Sequence, residues 1–411
     1  MATLLDLPPE IILMIAEYLQ IDSKQTPLLF YEHGEAYESL MARNPPSSIR
    51  NLHSFLLATK SLNSPLLLEI FYRDIFVPGS KGHGANSSLR SLNRSLEEKP
   101  SLQEHIISAI IPFEDDTDIR HFFSFTNIRE ITIREMYNCD WSLFKSADDS
   151  HIGTSPVECL RLINCEATEE TLTDIFSRPA ALKKLHYDVE QAGWECGCGE
   201  CGIQPWSCAA FVRALISQKA SLEELTMTRG PLVHGGLGNG PRINLSEFPN
   251  LRTLRIYHVF LCGWDDRCVW ETLPPNLEVL EVYYDDLKLP HYLFWAQELP
   301  DDSYILDVIR HKKSHFPNLN TMNLHSSEGV PEPEDDREWS DGWLRVPPLL
   351  AHEADSAGVK LNVWLGSRER LVFDEEVNLY QSLKSSQSKC PMQPSNKVAA
   401  QRTYISDWIL S

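Results

Sequence analysis

Two short phrases, Asn250-Leu-Arg-Thr-Leu-Arg-Ile256 and Asn276-Leu-Glu-Val-Leu-Glu-Val282, decide how this chain is read. Each has a two-residue lead-in, two variable positions, an apolar residue, one variable position and another apolar residue. The same phrase stands as NIREITI at 127–133, PVECLRL at 156–162, ALKKLHY at 181–187, SLEELTM at 221–227 and NLNTMNL at 318–324. Alternation of apolar and variable residues is the period of a strand with one buried face. Where nothing is inserted, the first apolar position moves from Ile128 to Val157 to Leu182, and later from Leu222 to Leu251 to Leu277, steps of 25–29 residues. A strand that recurs at this period cannot bury its apolar face alone, so consecutive copies are expected to stack.

The L-x-x-L-x-L core and its period match a divergent leucine-rich repeat, and Val157-x-x-Leu160-x-Leu162-x-x-Cys165 places a cysteine at that repeat's usual Asn/Cys position. HIISAIIP (105–112) reads as the first buried strand and VKLNVWL (359–365) as the last. Helices are expected in LRSLNRSLEEKP (89–100), TEETLTDIFS (168–177), SCAAFVRALIS (207–217) and SYILDVIRHKK (303–313). The third should set Phe211, Val212, Leu215 and Ile216 on one face, and the fourth ends on cations that suit the helix dipole. Three stretches interrupt the period, 189–204, 283–303 and 328–350, and the last carries seven acidic residues against one arginine between Glu328 and Asp341.

The N-terminal stretch LLDLPPEIILMIAEYLQ (4–20) is of another kind. Asp6 suits a helix cap, prolines are tolerated in a first turn, and Glu10 suits the positive helix end. Ile11, Ile12, Met14, Ile15, Tyr18 and Leu19 sweep an arc of about 160°, against roughly 100° for an ordinary surface helix. So wide an apolar arc needs cover from neighbours or from a second protein. Leu7-Pro8-x-Glu10-Ile11-x-x-x-Ile15-x-x-x-Leu19 resembles the opening of an F-box, the motif that docks onto the adaptor of SCF-type ubiquitin ligases. The second half resembles NLHSFLLATKSLNSPLLLEIFYRDIFV (51–77), delayed by a polar stretch at 21–50. Such an insertion is cheap, because loop closure grows only logarithmically with length. The resemblance implies adaptor binding by Leu5, Leu7, Pro8, Glu10, Ile11, Ile15, Leu19, Leu56 and Leu62.

The expected fold class is therefore α/β: a helical F-box over 1–77, a linker and helix over 78–104, and an irregular leucine-rich-repeat solenoid over 105–370. In it a curved parallel sheet carries helices on its convex side, and a C-terminal helix or tail follows at 371–411. The whole is similar to the large group of fungal F-box proteins. That resemblance implies a non-catalytic subunit that recruits a protein target to the ligase, engaging the adaptor and, through it, cullin. A cullin-independent F-box scaffold and an enzyme with a site between repeat loops are the alternatives.

Composition narrows the partners. With 37 Lys and Arg against 58 Asp and Glu the formal charge is −21, and the sequence pI is near 5.1. Phosphate backbones and anionic membranes select clustered cations, so neither nucleic acid nor a membrane is expected as a partner. The first basic residue is Lys24, and no run of 18 apolar residues exists, so the reading is a cytoplasmic or nuclear chain whose ten cysteines are reduced.

The sharpest chemical signal is Cys196-Gly-Cys198-Gly-Glu-Cys201-Gly, with Cys208 seven residues later. Four thiols so close offer a tetrahedral zinc site. The preferred reading is a glycine-rich loop with spare thiols and no cofactor, because Cys196-x-Cys198 is too close-set for a usual ligand pair. GPLVHGGLGNGP (230–241) lacks the Gly-Lys-Ser/Thr of a phosphate loop and runs into the next repeat. No G-x-S-x-G or H-E-x-x-H is present, and the fourteen histidines are scattered. Target binding is expected on the open strand face at Arg255, Tyr257, Glu281 and Tyr283, since Tyr and Arg dominate binding hot spots; a target held by the inserted loops is the alternative.

Overall fold

The computed structural model describes residues 72–77, 87–113, 119–139, 152–189, 207–229, 242–262, 268–284, 304–326, 348–365 and 369–370. The nine residues expected to bind the adaptor lie outside them, as do Cys196, Cys198 and Cys201. Among the described residues the fold is α/β. Its strands are β1 (Asp74–Phe76), β2 (Ser108–Pro112), β3 (Glu130–Cys139), β4 (Cys159–Ala167), β5 (Lys184–Val189), β6 (Glu224–Arg229), β7 (Thr253–Tyr257), β8 (Val279–Tyr284), β9 (Thr321–Ser326), β10 (Lys360–Leu365) and β11 (Glu369–Arg370). All belong to one open sheet in which each strand lies beside the one before it in sequence. The first ten are parallel, and β11 turns back antiparallel on β10.

The register explains the repeated phrase. Ile131, Leu160, Leu185, Leu225, Leu254, Leu280, Met322 and Leu361 stand side by side across eight strands, and all are buried. Ile133, Leu162, Tyr187, Met227, Ile256, Val282, Leu324 and Val363 make a second buried row. The lead-in positions Ile128, Val157, Leu182, Leu222, Leu251, Leu277 and Leu319 make a third. Each such side chain taken from water contributes roughly 1.5–3 kcal/mol, so the rows rather than any single pair hold the sheet together.

The lead-in asparagines have a distinct task. Asn127 Nδ2 donates to Glu104 O at 2.6 Å, Asn250 to Ala220 O at 2.6 Å and Asn276 to Pro249 O at 2.8 Å. Each reaches back to the carbonyl just ahead of the preceding phrase and ties successive turns. Backbone amides repeat the same step: Arg252 and Thr253 donate to Glu223 O, Glu278 and Val279 to Arg252 O, and Asn320 and Thr321 to Glu278 O.

The helices are α1 (Ser87–Glu98), α2 (Glu169–Ser177), α3 (Cys208–Leu215), α4 (His258–Cys262), α5 (Tyr304–His315) and α6 (Pro348–Ala357). Thr168 caps α2, its Oγ1 accepting from the Thr171 amide at 3.2 Å, and Ser207 caps α3 by accepting from Ala210 N at 3.1 Å. Leu172, Ile175, Phe176, Phe211 and Leu215 from these helices enter the same core as the strand rows.

Four details differ from the sequence reading. The sheet opens with β1, inside the range assigned to the N-terminal unit, because Ile75 and Val77 bury against the strand that HIISAIIP supplies. VKLNVWL is not the last strand, since β11 follows it. Ile216 is 43% exposed, because α3 tightens into a 3-10 turn at Ile216–Gln218 and Ala214 takes its place on the buried face. Helix α6 emerges at the end of the 328–350 interruption, where Leu350 and Ala354 are buried.

Gln218 is the main polar pin of this layer. Its Nε2 donates to Phe176 O at 2.8 Å and Pro179 O at 2.9 Å, while its Oε1 accepts from Leu182 N at 2.9 Å and Ser221 Oγ at 2.9 Å. Gln218→Leu leaves the Pro179 carbonyl and the Leu182 amide without this partner, while Phe176 O keeps Ser217 Oγ at 3.2 Å. The expected loss is about 3 kcal/mol, given roughly 1–3 kcal/mol per orphaned group, read as a lowered urea midpoint.

Candidate functional site

The sheet face opposite the apolar rows carries the variable positions. Arg161, His186, Thr226, Arg255, Glu281, Asn323 and Asn362 stand in one row across β4 to β10. Two residues on, Tyr257, Tyr283 and His325 form a second row on β7, β8 and β9. The four residues expected to bind a target are thus brought together: Arg255 pairs in register with Glu281, and Tyr257 with Tyr283.

Their environment departs from the expectation of a freely exposed patch. Tyr283 and Glu281 are each only 9% exposed. Glu281 is the hub. It accepts hydrogen bonds from the Tyr283 hydroxyl and, at 3.2 Å, from Asn323 Nδ2. His325 Nε2 lies 3.4 Å and Arg255 Nε 3.7 Å from its carboxylate. Asn362 Nδ2 extends the network by donating to Asn323 Oδ1 at 2.8 Å. The Tyr283 ring stacks on His325 with centroids 4.8 Å apart at 12°, and Tyr257 leans on Tyr283 at 5.7 Å and 34°. Tyr283 is therefore a strut as much as a contact surface, held between two rings and a carboxylate.

Arg255 is placed differently. Its NH1 is 3.8 Å from Glu224 and its Nε 3.7 Å from Glu281, and its side chain is 32% exposed. Between two carboxylates, beyond ordinary hydrogen-bond reach of both, the guanidinium keeps planar donors for an incoming acceptor. Asn362 and Glu224 are site neighbours that the sequence reading passed over. The alternation in VKLNVWL, which places Asn362 level with Asn323, was the signal for the first.

Protonation states follow from burial and contact. Burial by itself would raise the Glu281 carboxyl, but the nearby His325 ring and the hydrogen bonds from Tyr283 and Asn323 outweigh it and bring it down to about 2. Burial, reinforced by the Glu281 charge, pushes the Tyr283 phenol well above its ordinary value. Burial, with Arg161 and Arg255 nearby, brings His186 down to about 4. His186 Nε2 sits 2.9 Å from Thr228 Oγ1, which donates to Asp188 Oδ1 at 3.0 Å. At neutral pH these are a fixed carboxylate, a neutral phenol and a neutral imidazole. None of the three is poised for proton transfer near neutral pH, and all three are available as hydrogen-bonding or aromatic surface.

Cys208 is buried in the core. Its Sγ is 3.9 Å from Phe260 O, and burial pushes the thiol up to about 12. Among the described residues no three His, Cys, Asp or Glu side chains gather in a metal-holding arrangement, and no helix is long and apolar enough to cross a membrane. No protein-family model matches the chain, and no curated protein matches it.

The pH dependence of stability is set by the same groups. His186 has its proton affinity lowered on folding, so between pH 6.5 and about 4 the unfolded chain binds more protons and stability falls as pH falls. Glu281, lowered from 4.5 to about 2, contributes fully above pH 4.5 and is lost as pH falls toward 2. His186→Gln is expected to flatten the limb from pH 6.5 to 4 and leave the lower limb unchanged. The imidazole is partly exposed, which reduces the effect to on the order of 1–2 kcal/mol, measured by urea unfolding at pH 7 and 4.5.

Proposed function

We propose that the chain is the substrate-recruiting F-box subunit of an SCF-type ubiquitin ligase, its sheet forming an irregular leucine-rich-repeat solenoid. The observation that carries this reading is the order of the sheet. Ten parallel strands each pair with their predecessor, and β4 to β10 present one continuous row of variable residues. Such a face suits an extended protein partner. The protonation states of Glu281, Tyr283 and His186 support binding rather than bond chemistry. The LPxE-containing stretch at 7–19 supplies the other end of the adaptor. In this account the subunit works by proximity, bringing a target lysine near the ubiquitin-charged enzyme.

The docking end is tested by Leu7→Ala with Pro8→Ala, followed by affinity capture from cells. The expected result is loss of the adaptor with the thermal unfolding of the sheet unchanged, because each large apolar truncation at a buried interface costs roughly 2–5 kcal/mol. Retention of the adaptor would show that these residues are not an F-box. Capture of cullin with the wild-type chain separates a ligase subunit from a scaffold, which would bring down the adaptor alone.

The target end is tested by Arg255→Ala with Tyr257→Ala. Tyr283 is left in place because it is buried and braces Glu281. The double variant is expected to keep the adaptor, to lose less than about 1 kcal/mol of stability, and to lengthen the half-life of proteins captured by the wild type. Unchanged capture and turnover would move recognition away from this face.

A further inference from the structure

Outside the sheet face, the last turn of α5 brings together two imidazoles and an indole. His311 and His315 are four residues apart, which sets them on one side of the helix, and their ring centroids are 5.6 Å apart. The hydrogen bonds around them determine which nitrogen carries the proton. His311 Nδ1 lies 2.8 Å from Asp307 O, and a carbonyl only accepts, so Nδ1 is the N–H. Ser314 Oγ donates to His311 O at 3.1 Å and lies 2.7 Å from His315 Nδ1. With the hydroxyl proton on the carbonyl, Oγ accepts from a second Nδ1–H, and in that arrangement both neutral rings keep the lone pair on Nε2.

This is the ligand state that a metal ion selects: the coordinating nitrogen is unprotonated, and the other ring nitrogen is anchored to a second-shell acceptor. We propose that His311 and His315 form a two-imidazole site for a divalent transition-metal ion of the nickel and zinc class, with water in the remaining positions. Trp270 restrains both rings, stacking on His311 at 4.0 Å and 8° and meeting His315 at 4.3 Å and 58°. His315 is exposed and His311 half-buried, so solvent and ions reach the pair. The neighbouring cations are engaged elsewhere. Lys312 Nζ donates to Ala357 O at 2.7 Å and Gly358 O at 3.1 Å, and Arg310 lies 3.8 Å from Glu353. The negative end of the α5 dipole further offsets the charge of Lys313.

Calorimetric titration of the full chain with nickel chloride, with zinc as competitor, tests the site. His311→Phe keeps an aromatic ring against Trp270 but has no lone pair, and His315→Gln removes the second ligand. Each single variant is expected to bind nickel at least tenfold more weakly, and the double variant to bind one equivalent fewer than the wild type. Trp270→Phe is expected to hold nickel affinity within about threefold while removing part of the metal-induced fluorescence quench. Ser314→Ala leaves both ligands in place and is expected to weaken binding about tenfold by freeing the His315 ring. It also decides the matter if the histidine variants misfold. Equal nickel stoichiometry and affinity in wild type and double variant, or in wild type and Ser314→Ala, would overturn the proposal.

Discussion

The constraint on which everything else depends is that no strand of this sheet can bury its own apolar side chains. Leu254 and Ile256 are fully buried only because Leu225 and Met227 stand on one side and Leu280 and Val282 on the other. A strand pair alone is marginal in water, and a parallel pair needs a crossover, so stability comes from adding neighbours. The same pair of backbone amides recurs from β3 to β9, with an Asn-to-carbonyl bond added at Asn127, Asn250 and Asn276, so the register propagates along the chain.

Charge follows that register without supplying much of the energy. Glu158 lies between Arg129 at 3.6 Å and Lys183 at 2.9 Å, Lys184 meets Glu224 at 2.6 Å, and Arg252 meets Glu278 at 3.5 Å. These pairs are largely solvated, and each contributes ~0–1 kcal/mol.

On the open face the same spacing concentrates function. Once Glu281 is level with Arg255 and Asn323, its carboxylate is desolvated and must be satisfied, and Tyr283 and His325 from the next row complete it. A buried carboxylate with several donors is rigid, and a rigid patch loses little entropy on binding. Arg255 and Tyr257 remain at the rim of this braced cluster as the side chains most available to a partner. Between pH 6.5 and 4 the face weakens through His186 rather than through Glu281, whose proton uptake comes only in stronger acid.

From its residues alone the chain disclosed the strands of the repeated phrase, their parallel stacking and the outward row, but not β1 or β11, because alternation and a fixed period are local properties that survive whatever surrounds them. The placement of Arg255, Tyr257, Glu281 and Tyr283 on one face was legible for the same reason. What the tertiary structure decided is what those positions experience. Tyr283 reads as an exposed tyrosine in sequence, yet a stacked imidazole, a second tyrosine and a carboxylate bury it. Cys208 reads as one more thiol in a cysteine-rich stretch, but its helix turns it into the core, where burial keeps it protonated. His311 and His315 read as two of fourteen scattered histidines, and only the fold sets Trp270 against both rings. Position in a repeat is set by spacing, whereas burial and protonation depend on neighbours from distant turns, which no local pattern encodes.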